Sequence, residues 1–220
     1  MRGAGAEVKH AAGFVLAGGE SRRMGRNKAL VEFAGEPLIV RALKLLRDAG
    51  FEPRIAGARA ELDRFAPVIA DAEPGRGPLG GVCAALAACQ EPQALFIPVD
   101  LPLLPASLIS FLARRAAITT AIVTVTAVSG CPQTFPAVVD RVALPSLEDA
   151  LRQGRGGCYS AFEAAALGLR QRVAIIPVEY LAQPGQVTHP VNLPPAMWFL
   201  NVNSPADLAR AEIAVRRGVA

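Results

Sequence analysis

Cations and glycines gather in one stretch of the chain, Gly13–Val31, which reads GFVLAGGESRRMGRNKALV. A short apolar run, Phe14–Leu16, has the length of one buried strand. Gly18 and Gly19 follow it, where a bare backbone turns sharply and lets a ligand come close. Arg22, Arg23, Arg26 and Lys28 come next, around Met24 and Gly25. A strand opening into a glycine turn rich in cations suits a polyphosphate: backbone N–H groups form an anion nest and side chains neutralise the charge. The plain alternative is a solvated basic loop. Gly18, Gly19 and Gly25 do not give the GxGxxG spacing, and GxxxxGK[ST] does not occur.

Two aspartates follow other apolar runs. Asp71 ends Val68–Ala70 and begins DAEPGRGPLGGVCAALAAC, in which Gly75, Gly77, Gly80 and Gly81 make a turn feeding a small-residue helix. A loop leading into a helix N-terminus accommodates an anion or a nucleobase, the competing use being a tight structural turn. Asp100 ends Ala94–Val99 in LFIPVDLPLL, at the carboxyl end of an expected strand, where ligands collect in open α/β sheets. A carboxylate there is a hard oxygen ligand for Mg²⁺ shared with phosphates, or else a helix N-cap.

These stretches resemble the nucleotidyltransferase family of molybdenum cofactor guanylyltransferase. LAGGESRRMGRNKAL is similar to the family's N-terminal signature, LAGG followed by RMG and a lysine, over Leu16–Lys28. PGRGPLGG resembles its GPL[AG]G element, PVDLPLL its magnesium segment, PQTFPAVV the segment returning past the second substrate, and FLNVNSPADLARAE its C-terminal NVNTPEDL. The resemblance runs from about Gly13 to Ala211 and is strongest at the three N-terminal motifs and NVNSPADL.

The resemblance implies that Leu16, Ala17, Gly18, Gly19, Asp71, Gly77, Pro78 and Leu79 surround the nucleotide, with Lys28 on its phosphates. It implies Mg²⁺ on Asp100 bridging nucleotide and acceptor, and catalytic roles for Arg23, Lys28 and Asp100. Asn201 and Asn203 either face the second substrate or hold a strand–helix turn together. The implied reaction joins GTP to the phosphate of molybdopterin, with pyrophosphate released and transient contact with cofactor-supplying or acceptor molybdoenzymes. One departure is visible: Arg54–Ala58 reads RIAGA, with no amide side chain where members often place Asn. That leaves open a CTP-dependent cytidylyl transfer to the same pterin, or a nucleotide-binding module without turnover. An NAD-linked dehydrogenase lacks its fingerprint here.

To bring these groups together, strands must end side by side. Apolar and helical segments alternate along the chain, which predicts one α/β domain: a three-layer Rossmann-like fold of the nucleotide-diphospho-sugar transferase type, its sheet mostly parallel with helices on both faces. Helices are expected over Pro37–Gly50 and Ala60–Phe65, from after the glycine turn of Gly75–Gly81 to near Cys89, over Pro105–Ala117 and Ala143–Gln153, and from Ser204 onward. Strands are expected at Phe14–Leu16, Leu30–Phe33, Arg54–Gly57, Val68–Ala70, Ala94–Val99, Thr119–Val128, Val173–Val178 and Trp198–Val202. Pro132–Val139 reads as a strand kept to an edge or a bulge by its prolines. Residues 1–12 read as a disordered lead-in and 13–220 as the domain.

The 220 residues, with 52% apolar and 19% charged, fit a compact protein with a full core. A net charge of +4 without a long Lys/Arg tract matches anionic small molecules and calls for neither nucleic acid nor a membrane surface. The four cysteines make no CxxC pair, and the N-terminus is too polar for a signal peptide, so reduced thiols in a cytoplasmic protein are expected. Arg155 and His189 read as an exposed loop cation and an exposed or structural imidazole.

Overall fold

The computed structural model describes residues 11–17, 27–57, 60–71, 75–154 and 157–218. β1 (Ala11–Leu16) precedes a 3-10 turn at Lys28–Leu30 and a small hairpin of β2 (Glu32–Phe33) and β3 (Glu36–Pro37). Then come α1 (Leu38–Asp48), β4 (Pro53–Ala56), β5 (Val68–Ile69), α2 (Gly77–Ala88), β6 (Gln93–Pro98) and α3 (Ala106–Thr119). The second half holds β7 (Val123–Val128), β8 (Cys131–Asp140), α4 (Leu144–Gln153), α5 (Cys158–Gly168), β9 (Ala174–Pro177), α6 (Glu179–Ala182), α7 (Pro195–Trp198) and α8 (Pro205–Gly218).

Seven strands form one sheet in the order β5-β4-β1-β6-β8-β7-β9. β1 pairs in parallel with β4 and β6, β4 with β5, and β7 with β9, while β8 runs antiparallel to both its neighbours. β4 and β5 lie to one side of β1 and β6 to the other. The winding therefore reverses at β1–β6, and a crevice opens above the carboxyl ends of those strands.

The layers follow from alternation along the strands. Val15, Ile55, Leu95 and Ile97 join residues of α1, α3 and α8 in one core, while Phe14, Phe96, Val123 and Val139 join α2, α4 and α5 in the other. Phe14 and Phe96 are register partners whose rings stack with centroids 5.5 Å apart. Such a pair contributes about 1 kcal/mol beyond its burial. The amphipathic α1 buries Leu38, Ile39, Ala42, Leu43 and Leu46, and stops before Gly50, which takes a left-handed φ of +93°.

Three segments differ from expectation, and in a fourth the structure decides between an edge and a bulge. β8 is an interior strand: its ladder to β7 shifts register between Val125 and Thr126, so residues 134–136 with Pro136 fall in the irregularity and cost no ladder bonds. The expected bulge is there, but not the edge. Residues 60–65 form a 3-10 turn at Ala60–Leu62 instead of a helix. α5 was not expected, because CYSAFEAAALG is apolar nearly all round and shows no clear helical period. Trp198–Val202 is no strand; Pro194 and Pro195 start a short helix instead. Trp198 is 2% exposed and its Nε1 donates to the Leu193 carbonyl at 2.7 Å, which pins this segment to the core.

All four cysteines are free thiols: Cys83 and Cys89 are buried, Cys158 half-buried and Cys131 exposed. Burial pushes the Cys83 thiol up to about 11 and the Cys158 thiol to about 12, so both stay protonated. No described helix is long and apolar enough to cross a membrane.

Candidate functional site

The carboxyl end of β1 is fixed from both sides. Ala17 N–H donates to the Ala56 carbonyl at 3.0 Å, and Val99 N–H donates to the Leu16 carbonyl at 3.1 Å. Leu16 and Ala17 thus sit in the floor of the crevice, between the ends of β4 and β6. Gly18, Gly19 and Arg23, like Arg155, lie outside the described residues.

Lys28 opens the 3-10 turn Lys28–Leu30. Asn27 caps the turn, its Oδ1 accepting from Ala29 N–H at 3.1 Å, and Ala29 is buried. The turn cannot roll, and the Lys28 side chain is directed across the crevice. Its Nζ donates to Asp100 Oδ2 at 2.6 Å, to Asn201 Oδ1 at 3.4 Å and to Asn203 Oδ1. The side chains of Lys28 and Asp100 are only 16% and 20% exposed, so this ion pair is stronger than a surface one.

Asp100 follows β6 by two residues, and its carbonyl accepts from Val202 N–H at 2.9 Å. Asn203 is held by the cap of α8. Asp207 Oδ2 accepts from Asn203 N–H at 3.1 Å and from Ser204 Oγ at 2.8 Å, and Ser204 Oγ accepts from Asp207 N–H at 3.2 Å. The Ser204 hydroxyl first, and then the Asn203 N–H, hold the Asp207 carboxyl below its ordinary value. The backbone of Asn203 therefore completes a helix cap while its side chain turns to Lys28.

Asp71 marks the other end of the crevice, two residues after β5. Its Oδ1 is buried without a hydrogen-bond partner, and desolvation raises its carboxyl above the ordinary value. A Cβ on Gly81 would lie 3.4 Å from Asp71 Oδ1 and 3.4 Å from Leu16 Cδ2. Glycine at this position lets α2 close against both. Gly77 and Pro78 are exposed at the start of α2, Gly77 with a φ of +66°, whereas the Leu79 side chain is packed into the core beneath.

The predicted residues thus fall into two groups along one sheet edge. Lys28, Asp100, Asn201 and Asn203 meet directly, and Asp71 and Leu16 both lie against Gly81. His189 belongs to neither; it is half-buried, its ring stacked on Trp198 at 6.2 Å. Sequence reasoning passed over Asn27, although an Asn immediately before the lysine is a capping signal.

Oxygen donors fit a hard cation here. Asp100 Oδ2, Asn201 Oδ1 and Asn203 Oδ1 converge on one positive charge, the Lys28 ammonium. No cluster of three His, Cys, Asp or Glu residues exists among the described residues. A single carboxylate with amide oxygens suits Mg²⁺, which keeps most of its waters and shares phosphate oxygens.

The family model of the MobA-like NTP transferase domain matches residues 13–169, so the chain belongs to that family. The chain is 37% identical to a probable molybdenum cofactor guanylyltransferase of Opitutus terrae over 174 residues, covering 76% of this chain and 85% of that one. It is 34% identical to the molybdenum cofactor guanylyltransferase of Rhodobacter capsulatus, covering 94% and 97%. Among solved structures, molybdopterin-guanine dinucleotide biosynthesis protein A of Archaeoglobus fulgidus superposes with a TM-score of 0.75 at 25% identity, covering 94% and 99%.

Proposed function

We propose, from the premise that this chain belongs to the MobA-like NTP transferase family, that it transfers GMP from GTP to the phosphate of molybdopterin and releases pyrophosphate. The observation that carries this reading is the meeting of Lys28, Asp100, Asn201 and Asn203 at one end of a crevice whose other end holds Asp71, with its buried Oδ1 lacking a hydrogen-bond partner.

The acceptor phosphate is already ionised, so the reaction needs no side-chain nucleophile. One of its oxygens forms a bond to the α-phosphorus as the bond from that phosphorus to the bridging oxygen breaks, and pyrophosphate leaves with the electron pair. What the protein contributes is alignment and charge. Lys28 brings a positive charge to the phosphates, and Arg23, by resemblance, shares that task. Asn201 and Asn203, by resemblance, face the acceptor, which their contacts with Lys28 support. Asp71 offers a buried acceptor oxygen to the N–H or O–H donors of the nucleoside. Leu16, Ala17, Gly18, Gly19, Gly77, Pro78 and Leu79 complete the nucleotide's surroundings.

Asp100, with the amide oxygens beside it, would hold Mg²⁺, which when bound neutralises charge on the reacting phosphates. Residence in the cytoplasm is part of the same proposal, since GTP is present there and free thiols persist. So is transient contact with the molybdoenzymes that supply or receive the cofactor.

The test follows the label of α-phosphate-labelled GTP. Mixed with molybdopterin and Mg²⁺, the protein should move the label to the pterin and release one pyrophosphate per transfer. CTP should do so much more slowly, and GTP should raise the melting temperature more than CTP. A nucleotide at a hundredfold excess over Kd stabilises by roughly 2.7 kcal/mol. Label transfer from CTP at an equal or higher rate would move the activity to cytidylyl transfer, and nucleotide binding without transfer would make the chain a binding module.

A further inference from the structure

Arg41 is half-buried on α1, while Lys44, Arg47 and Asp48 of the same helix are exposed. It occupies the apolar stripe, at helical spacing from Leu38 and Leu45. Burial pushes its guanidinium below the ordinary value, with Glu36 acting in the opposite sense. A cation kept in such a place has contacts that compensate its lost hydration.

Two contacts do so. The guanidinium carbon lies 4.8 Å from the centroid of the Phe33 ring, and Nε donates to the Pro102 carbonyl at 2.8 Å. Phe33 is fully buried in the hairpin that directly follows the Lys28 turn. Pro102 lies two residues beyond Asp100. A cavity of about 240 Å³ opens between α1 and the segment from Pro98 to Ala106, and both Arg41 and Pro102 line it. Arg41 reaches the loop beside this gap.

The loop is held at one more point, beside which His189 lies. Val202 N–H donates to the Asp100 carbonyl at 2.9 Å. His189 Nδ1 accepts from Val191 N–H at 3.2 Å, so its proton sits on the other ring nitrogen, and the Leu103 backbone nearby favours its charged form.

We infer that Arg41 is a positioning residue for the transfer reaction proposed above: it ties the hairpin behind Lys28 to the loop behind Asp100 and thereby sets the spacing of those two charges. Arg41 touches neither reactant. Its guanidinium plane and its Nε serve the two elements at once, which a lysine ammonium cannot do in the same way. Misplacement of reacting groups by about 1 Å costs on the order of a hundredfold in rate, so a strut at this point is worth much more to turnover than to binding.

The test is Arg41→Met, which keeps an unbranched apolar stem and removes the guanidinium. Wild-type protein assayed alongside must release pyrophosphate from GTP and molybdopterin; if it does not, the transfer reading itself fails. Where it does, Arg41→Met should lose about tenfold or more in kcat, with GTP affinity by calorimetry within about twofold. In ¹⁵N-lysine-labelled protein the Lys28 Nζ resonance, assigned through Lys28→Arg, should shift and broaden. Arg41→Lys should recover part of the rate, and should replace Arg41→Met if that variant melts below the assay temperature. A folded Arg41→Met with kcat within twofold of wild type and an unmoved Lys28 resonance would overturn the inference.

Discussion

Asp71 and Asp100 each stand two residues beyond a parallel strand, β5 on one side of β1 and β6 on the other, yet their surroundings are opposite in kind. Asp71 has a buried oxygen without a partner and a carboxyl raised by desolvation. Asp100 faces an ammonium at 2.6 Å with two amide oxygens around the same cation. An acceptor left unpaired in the fold costs stability until a donor arrives. A carboxylate already balanced by a cation is prepared for charge to change nearby. The first suits recognition of a neutral, donor-bearing nucleoside; the second suits phosphate and metal.

The contrast is broken most severely at Asp100. Asp100→Asn keeps the shape and removes the charge, so pyrophosphate release should fall by at least about a hundredfold, near 2.7 kcal/mol of barrier. GTP binding should survive in part, because Asp71 and the end of β1 are untouched. Near-normal release from the variant would reduce Asp100 to a loop residue.

Asp71→Asn sharpens the same contrast from the other end. Removing a charge-assisted acceptor costs about 1.5–3 kcal/mol, so GTP affinity should drop by about tenfold or more. The ligand-free protein should meanwhile melt about 2 °C higher, since the desolvated charge is gone. The pH dependence has a definite sign. With its carboxyl raised above 3.8, Asp71 gives stability that is complete below that value and lost as pH rises through the raised one. Melting curves of the variant from pH 4 to 7 should lack that loss. A variant that melts lower at every pH would mean that Asp71 is a structural acceptor.

How far this could be read beforehand differs between the two ends. That Asp71 and Asp100 stand at strand ends was legible because each directly follows an apolar run, whereas Lys28 stood out by the cations and glycines around it; the roles of all three rest on the resemblance of their motifs to a known family. The parallel sheet was legible from the alternation of segments. The meeting of Asn201 and Asn203 with Lys28 was left open, since no local pattern reports a contact across more than 170 residues of chain. For β8 the prolines leave edge and bulge both open, and only the register shift against β7, which takes up Pro136, decides for the bulge. Trp198–Val202 misled because aromatic and apolar residues read as a strand, whereas Pro194, Pro195 and the bond from Trp198 to Leu193 fix a turn. Arg41 was missed because a cation on a helix reads as solvated until its neighbours are known.

A smaller effect belongs to His189. Burial lowers its imidazole below 6.5, with the nearby Arg41 adding to the shift and the Leu103 carbonyl opposing it. The stability it contributes is present above 6.5 and is lost as pH falls through the lowered value. Protonation would also place a second charge beside Arg41 and turn His189 Nδ1, which accepts from Val191 N–H, into a donor. The melting temperature should fall more steeply between pH 7 and 5 in the wild type than in His189→Gln. Equal slopes would show that His189 is not a group that senses pH here.

The division of the crevice into a phosphate end and a nucleoside end is tested most directly by calorimetric titration of GTP and of guanosine into Lys28→Ala and Asp71→Asn. Lys28→Ala should weaken GTP by about tenfold or more and leave guanosine within about twofold, because an ammonium acts on phosphate charge. Asp71→Asn should weaken both ligands by a similar factor, because guanosine retains the donors that Asp71 accepts. A Lys28→Ala protein that loses guanosine as severely as GTP, or an Asp71→Asn protein that loses only GTP, would contradict the account.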